Sequence, residues 1–186
     1  MHGLVFAELR KFVEYKLGPQ AWSALLQDAK LGNKAYFSIQ DYPDSDAVAL
    51  VAAASRKTGL PADAILEAFG EFITPALIKM YGHLAKPSWR TLEFIENAER
   101  SIHTVVRINN AGAKPPELRV SRAGPNEIML HYSSARKMCA LAKGIAKGVA
   151  RHYGESLTLQ ETKCMNKGAA ECQISLRVAA AAASGR

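Results

Sequence analysis

A chain of 186 residues that is 48% hydrophobic and 22% charged can bury one well-formed core, which excludes a disordered or fibrous polypeptide. Its longest charge-free apolar run, Ala47 to Ala54, falls far short of the roughly 18 to 20 residues of a spanning helix, so a soluble protein is expected. The net charge of +7 would suit nucleic acid or an acidic membrane. The Lys and Arg residues are scattered, however, and lack the interleaved aromatics of single-strand binders, so neither partner is expected.

The opening MHGLVFAELRKFVEYKLG has no basic segment ahead of an apolar block and is read as mature structure in the cytoplasm. Val5, Leu9, Phe12 and Val13 share one helix face, and Gly18-Pro19 stops that helix. Trp22, Leu25, Leu26 and Ala29 make a short second helix ending at Gly32. Ala35 to Tyr42 reads as irregular or extended, and Pro43-Asp44-Ser45-Asp46 caps a third helix from about Ala47 to Lys57. After the turn Thr58-Gly59-Leu60-Pro61 comes a helix from Ala62 to Phe72, then another opened by Thr74-Pro75 and reaching Tyr81 or beyond.

From Trp89 to Arg107, helical periodicity gathers Ile95, Ala98, Ile102, Val105 and Val106 on one side. Glu93, Glu96, Arg100 and Arg107 fall on the other, and His103 lies on the boundary. An imidazole there either reaches into a cavity as a neutral ligand for iron or donates to a carbonyl as an ordinary boundary residue. Periodicity leaves both open.

Beyond Pro115-Pro116 the pattern changes to period two. Leu118 and Val120, then Ile128, Leu130 and Tyr132, alternate around Ala123-Gly124-Pro125-Asn126 as an antiparallel hairpin. Ser133 to His152 reads as a helix with Met138, Leu141, Ala142, Ile145 and Val149 inward. A second hairpin runs from Leu157 to Cys164 and from Cys172 to Val178, and the Ala-rich end from Ala179 is expected to be a flexible tail. The fold class is therefore α+β, a helical N-terminal lobe followed by helices packed on a four-stranded antiparallel sheet.

Tyr132-Ser133-Ser134-Ala135-Arg136 stands where the first hairpin meets a helix. Two hydroxyls, helix-start amides and a guanidinium can grip a carboxylate or phosphate there, or Ser133 or Ser134 is simply a cap with Arg136 in solvent. Arg136, Lys143, Lys147 and Arg151 form a basic stripe, read as an ordinary solvated face. The other histidines, His2, His83, His131 and His152, read as surface or structural.

Three cysteines spaced 25 and 8 apart do not make a secreted disulfide framework. Cys164 and Cys172 face each other near the mouth of the last hairpin, with Cys139 on the preceding helix. They are either zinc ligands or small buried thiols.

The opening MHGLVF, the helix with His103, Pro115-Pro116 and Tyr132-x-Ser134-x-Arg136 resemble, in identity, order and spacing, the haem-nitric oxide/oxygen binding (H-NOX) family, standalone bacterial type. The resemblance covers residues 1–178 as a single domain. It implies a helical distal lobe at 1–60, an α/β proximal lobe at 61–178 and haem b between them. His103 would be the proximal iron ligand, Tyr132, Ser134 and Arg136 would hold the propionates, and Pro116 would press on the macrocycle. The resemblance also suggests that some members build a zinc site or redox-active thiols from cysteines at these places, with a fourth ligand near position 161. Glu161 is there, but strand alternation should face it away from Cys164.

In oxygen-binding relatives a distal tyrosine stands five residues beyond the propionate arginine, and this chain has Leu141 there, with Val5 and Phe6 equally apolar. The implied function is a gas sensor that binds nitric oxide and carbon monoxide at ferrous haem, excludes dioxygen, and signals by conformational change. Its partner would be a separate histidine kinase or cyclic-di-GMP enzyme (diguanylate cyclase or phosphodiesterase). The alternative is a zinc or thiol redox sensor regulating the same kind of partner. No carboxylate pair, phosphate-binding glycine loop or nucleophile triad is present, so a sensor and not an enzyme is expected.

Overall fold

A computed structural model describes residues 1–110 and 112–179; the expected tail from residue 180 onward lies outside the described residues. Helices α1 (Gly3–Leu17), α2 (Ala21–Asp28), α3 (Asp44–Thr58) and α4 (Ala62–Tyr81) come first. They are followed by α5 (Thr91–Ala98), a π-helical turn (Glu99–His103) and α6 (Thr104–Asn109). Strands β1 (Glu117–Gly124) and β2 (Glu127–Ser133), helix α7 (Cys139–His152), and strands β3 (Leu157–Lys163) and β4 (Cys172–Val178) complete the order. All strand pairs are antiparallel in the spatial order β1-β2-β4-β3.

One apolar core gathers Phe6, Leu9, Phe12, Leu25, Leu50, Ala53, Phe69 and Ile73 from the first four helices, with Met138 and Ala140 from the start of α7. A second lies under the sheet, where Ile128, Leu130, Ile174 and Leu176 meet Leu92 and Ile95 of α5 and Ala146 of α7. Alternation along β2 and β4 sends these residues to the helix-covered face, and their burial against helices supplies most of the driving force. No helix among the described residues is long and apolar enough to cross a membrane.

Helices α4 and α7 cross at closest approach through Gly70, Gly144 and Gly148. A Cβ on Gly144 would stand 2.0 Å from the Glu67 carbonyl oxygen, and one on Gly148 would stand 2.3 Å from Thr74 Oγ1. Lys147 reaches Glu67 and Arg151 reaches Glu71 along the same seam. The expected solvated basic face is thus half of a charge-matched helix pair.

Four local expectations are corrected. The breaks expected around Thr74-Pro75 do not occur: α4 runs through Pro75, and Thr74 Oγ1 donates to the Gly70 carbonyl at 2.8 Å within the close contact with α7. The third helix opens at Asp44 with Pro43 as its N-cap, because Asp46 is used by Lys34 and Tyr36 instead of capping. Helix α7 starts at Cys139, six residues later than Ser133, since Lys137 adopts φ 51°, a left-handed conformation that no helix accommodates. Finally, the helix carrying His103 is interrupted by the π-turn.

Candidate functional site

His103 ends the π-turn, a feature in which i→i+5 bonding widens the helix and which recurs at functional positions. The Thr104 N–H closes that turn on the Glu99 carbonyl. The widened turn brings residues four apart nearly one above the other. His103 Nδ1 lies 2.9 Å from Glu99 Oε2, and the Leu118 N–H of β1 donates to the same oxygen at 3.1 Å. Glu99 Oε1 is 2.7 Å from Arg107. Burial pushes the His103 imidazole below its ordinary value, and the hydrogen bond with Glu99 restores only part of this, so the ring is neutral at pH 7. Burial alone would raise the Glu99 carboxyl, but His103, Arg107 and the Leu118 amide outweigh it and hold the group ionised.

Pro116 contributes its backbone beside the His103 ring. The helix is tied to the sheet a second time by Arg122 of β1, which grips Glu96 through Nε and Nη2 at 2.6 and 2.8 Å and Glu93 at 2.6 Å.

Tyr132 near the end of β2 and Ser134 and Arg136 in the turn before α7 are brought together, not on exposed amides of a helix start. Tyr132 is buried next to Cys172 in the strand register. Its hydroxyl is pushed above the ordinary value by burial, with Ser134 and the Met138 backbone offsetting part of the effect. Ser134 Oγ accepts the Arg136 N–H at 3.2 Å. Arg136 Nη1 donates to the Lys114 carbonyl at 2.7 Å, and Nε lies 2.7 Å from Asp44 Oδ2. Arg136 Nε and Asp44 Oδ1 are both buried, and each meets its counter-charge, Asp44 Oδ2 and the N-terminal ammonium respectively, as an ion pair without an aligned hydrogen bond. The Arg136 guanidinium, held by Asp44 and the Lys114 carbonyl beside Ser134, can take a carboxylate in exchange for Asp44, and the neutral His103 imidazole can take a metal.

Val5, Leu141 and Ile145 each pack against the N-terminal core, and their side chains offer no donor. Nearby hydroxyls are committed: Tyr36 stacks on Phe6 at 4.3 Å and donates to Asp46 at 2.9 Å, while Tyr42 accepts the Phe37 N–H at 2.6 Å. Thr74 Oγ1 is bound within α4.

A second cluster sits next to Tyr132 at the same end of the sheet. Donor atoms of Cys139, Cys164, Cys172 and Glu161 all lie within 4.8 Å of one another, and all three thiols are free and buried. Cys139 Sγ and Cys164 Sγ are 3.7 Å apart, too far for a disulfide and close to the about 3.8 Å separating two sulfurs on tetrahedral zinc. The expectation that Glu161 faces away is corrected. A register shift between Glu161 and Lys163 inserts an extra residue in β3, and Glu161 pairs with Ile174 on the inner face. Glu161 Oε1 is buried without a hydrogen bond, 3.6 Å from Lys143 Nζ. Burial pushes the Cys139 thiol well above its ordinary value, with Cys172 adding to the effect.

Residues that sequence reasoning missed are Glu99, Asp44 and Lys143. The spacing of Glu99 four residues before His103 was a usable signal; nothing local pointed to the other two.

The profile of the Haem-NO-binding family matches residues 2–161. The chain is similar to a soluble guanylate cyclase, gcy-35, of Caenorhabditis elegans, with 24% identity over 172 residues; this covers 88% of the chain and spans 25% of that protein's length. Among solved structures it resembles an H-NOX protein from S. oneidensis in the Fe(II)NO ligation state, with TM-score 0.89, 24% identity, and 97% and 100% of the two chains covered. It also resembles the Fe(II) unliganded H-NOX protein from K. algicida, with TM-score 0.85, 22% identity, and 97% and 98% covered.

Proposed function

The chain belongs to the Haem-NO-binding (H-NOX) family of haem-based gas sensors, and from that premise we propose that it senses nitric oxide through haem b. The haem lies between a helical lobe at residues 1–60 and an α/β lobe at 61–178. When bound, it would supply a ferrous iron able to take up a diatomic gas. His103 would supply a nitrogen ligand to the iron, Tyr132, Ser134 and Arg136 would take the propionates, and Pro116 would press on the macrocycle. The observation that carries this reading is the neutral, largely buried His103 ring at the end of the π-turn.

Val5 and Leu141 give the gas side no hydrogen-bond donor. Dioxygen gathers negative charge when it binds and needs such a donor; nitric oxide and carbon monoxide do not. The reading therefore has the protein bind the latter two and exclude the former. Because Glu93, Glu96 and Glu99 tether the His103 helix to β1, a displacement of that helix is carried to the sheet. We assign the output to contact with a separate signalling protein, a histidine kinase or a cyclic-di-GMP enzyme, and no catalysis to this domain. The three buried thiols suit a reducing compartment, the cytoplasm.

The test is haem reconstitution of the wild type, His103→Gly and Arg136→Ala. The wild type should show one five-coordinate haem, and His103→Gly should show none unless imidazole is supplied. Arg136→Ala should release haem faster by about 10- to 150-fold, the equivalent of one charge-assisted bond of roughly 1.5 to 3 kcal/mol. Unchanged iron coordination in His103→Gly would refute the ligand assignment.

A second reading is favoured by the Cys139, Glu161, Cys164, Cys172 cluster. These residues would hold a structural Zn2+ or serve as a thiol switch toward the same partner. Zinc content before and after peroxide separates this reading from haem-only sensing.

A further inference from the structure

The site described so far places His103 but leaves its Glu99 partner without a role. A surface ion pair one turn away on a helix is common and worth little, yet Glu99 is held from three directions. His103 Nδ1 and the Leu118 N–H share Oε2, and Arg107 takes Oε1. Leu118 belongs to β1 and Arg107 to α6, so separate elements fix the carboxylate under the imidazole. The wide turn between residues 99 and 103 is what lets the two side chains align.

A metal-bound imidazole is shaped by what its other nitrogen meets. A carboxylate accepting Nδ1–H fixes the tautomer, leaves the Nε2 lone pair for the metal, and makes the ring a stronger electron donor. A backbone carbonyl or a water does this far less, because neither carries a full negative charge.

We propose that Glu99 is a positioning residue that strengthens the iron–His103 bond by accepting a hydrogen bond from Nδ1–H, and so raises the threshold at which nitric oxide detaches His103. The proposal rests on the haem reading above. Arg107 moderates it, since the cation on Oε1 withdraws charge from the acceptor. Glu99 thereby links the strength of one coordinate bond to the position of β1, through the Leu118 amide.

The experiment compares the haem-loaded wild type with Glu99→Gln and Arg107→Met, after a pyridine haemochrome assay has established haem content and coordination in each. Three quantities are read: the iron–histidine stretching frequency by resonance Raman, the midpoint potential, and the rate at which the nitric oxide complex passes from six- to five-coordinate. Glu99→Gln should lower the stretching frequency, raise the potential and accelerate the conversion by about tenfold. Arg107→Met keeps the acceptor and should move all three the other way. Equal frequencies and potentials in the three proteins, each with one five-coordinate haem, would overturn the role of Glu99 and leave the haem reading standing. A wild type that does not ligate haem through a histidine would overturn both.

Discussion

Arg136 Nε lies 2.7 Å from Asp44 Oδ2, while Asp44 Oδ1 is 3.1 Å from the N-terminal ammonium. One carboxylate at the start of α3 thus joins the chain terminus to the turn before α7. Burial alone would raise the Asp44 carboxyl, but Arg136 and the ammonium outweigh it and hold it below its ordinary value. A depressed carboxylate contributes stability that is present above its unfolded value and is lost as pH falls through its folded value. The stability difference between the wild type and Asp44→Asn should therefore be constant near neutrality and shrink below roughly pH 4. Urea unfolding at several pH values checks it; a difference that persists undiminished into that acid range would assign the link to something other than charge.

The crossing of α4 and α7 has no room for a methyl group. Gly144→Ala would gain roughly 1 kcal/mol in helix propensity, but its Cβ would stand 2.0 Å from a main-chain oxygen. The backbones must separate, and a net loss of about 1 to 3 kcal/mol is expected. Gly124, whose added Cβ meets nothing within 4 Å, is the control. A thermal midpoint that falls clearly for Gly144→Ala and barely moves for Gly124→Ala is the expected pair of results.

Leu141→Tyr places a hydroxyl among the apolar residues, Val5 and Ile145 included, that pack on the N-terminal core. One hydrogen bond to a partly charged ligand is worth roughly 1.5 to 3 kcal/mol, so dioxygen affinity should rise by about 10- to 150-fold. Visible spectra of the ferrous proteins on admitting air decide this. A stable oxygen complex in the wild type would mean that another donor serves the gas side.

Zinc loading should depend on pH and on Glu161. Because burial keeps the Cys139 and Cys172 thiols protonated without metal, binding must release protons, and affinity should weaken as pH falls. Glu161→Gln should reduce zinc affinity while leaving the haem spectrum unchanged, with zinc read by competition against a chromogenic chelator. Equal zinc affinity for both proteins would remove Glu161 from the ligand set.

The parts of the fold most legible in the sequence were those where one periodicity governs a whole element. Val5 to Val13 and Ile128 to Tyr132 declare a helix and a strand because burial on one side repeats without interruption. Legibility failed where one residue alters the phase or where tertiary contact overrides a local rule. Pro75 reads as a helix start, but the contact with α7 carries the helix through it. Glu161 was misplaced because a bulge, invisible to alternation, separates it from Cys164. Arg136, Lys143, Lys147 and Arg151 looked like a solvated stripe because their partners Asp44, Glu161, Glu67 and Glu71 come from other elements. Asp44 itself was taken for a cap, a local role, when its contacts are long-range.

The irregularity in β3 has an effect outside the thiol cluster. With strand order β1-β2-β4-β3, the outer strands are β1 and β3, and both lose regular pairing, β3 between Glu161 and Lys163 and β1 between Arg122 and Gly124. A free edge with an even row of amides and carbonyls is a template on which another chain can add a strand. Here a foreign strand would fall out of step partway along either border, and it would also meet Arg119, Arg122 and Lys163. The same extra residue that brings Cys164 to the face of Glu161 also guards the sheet against growing into a neighbour.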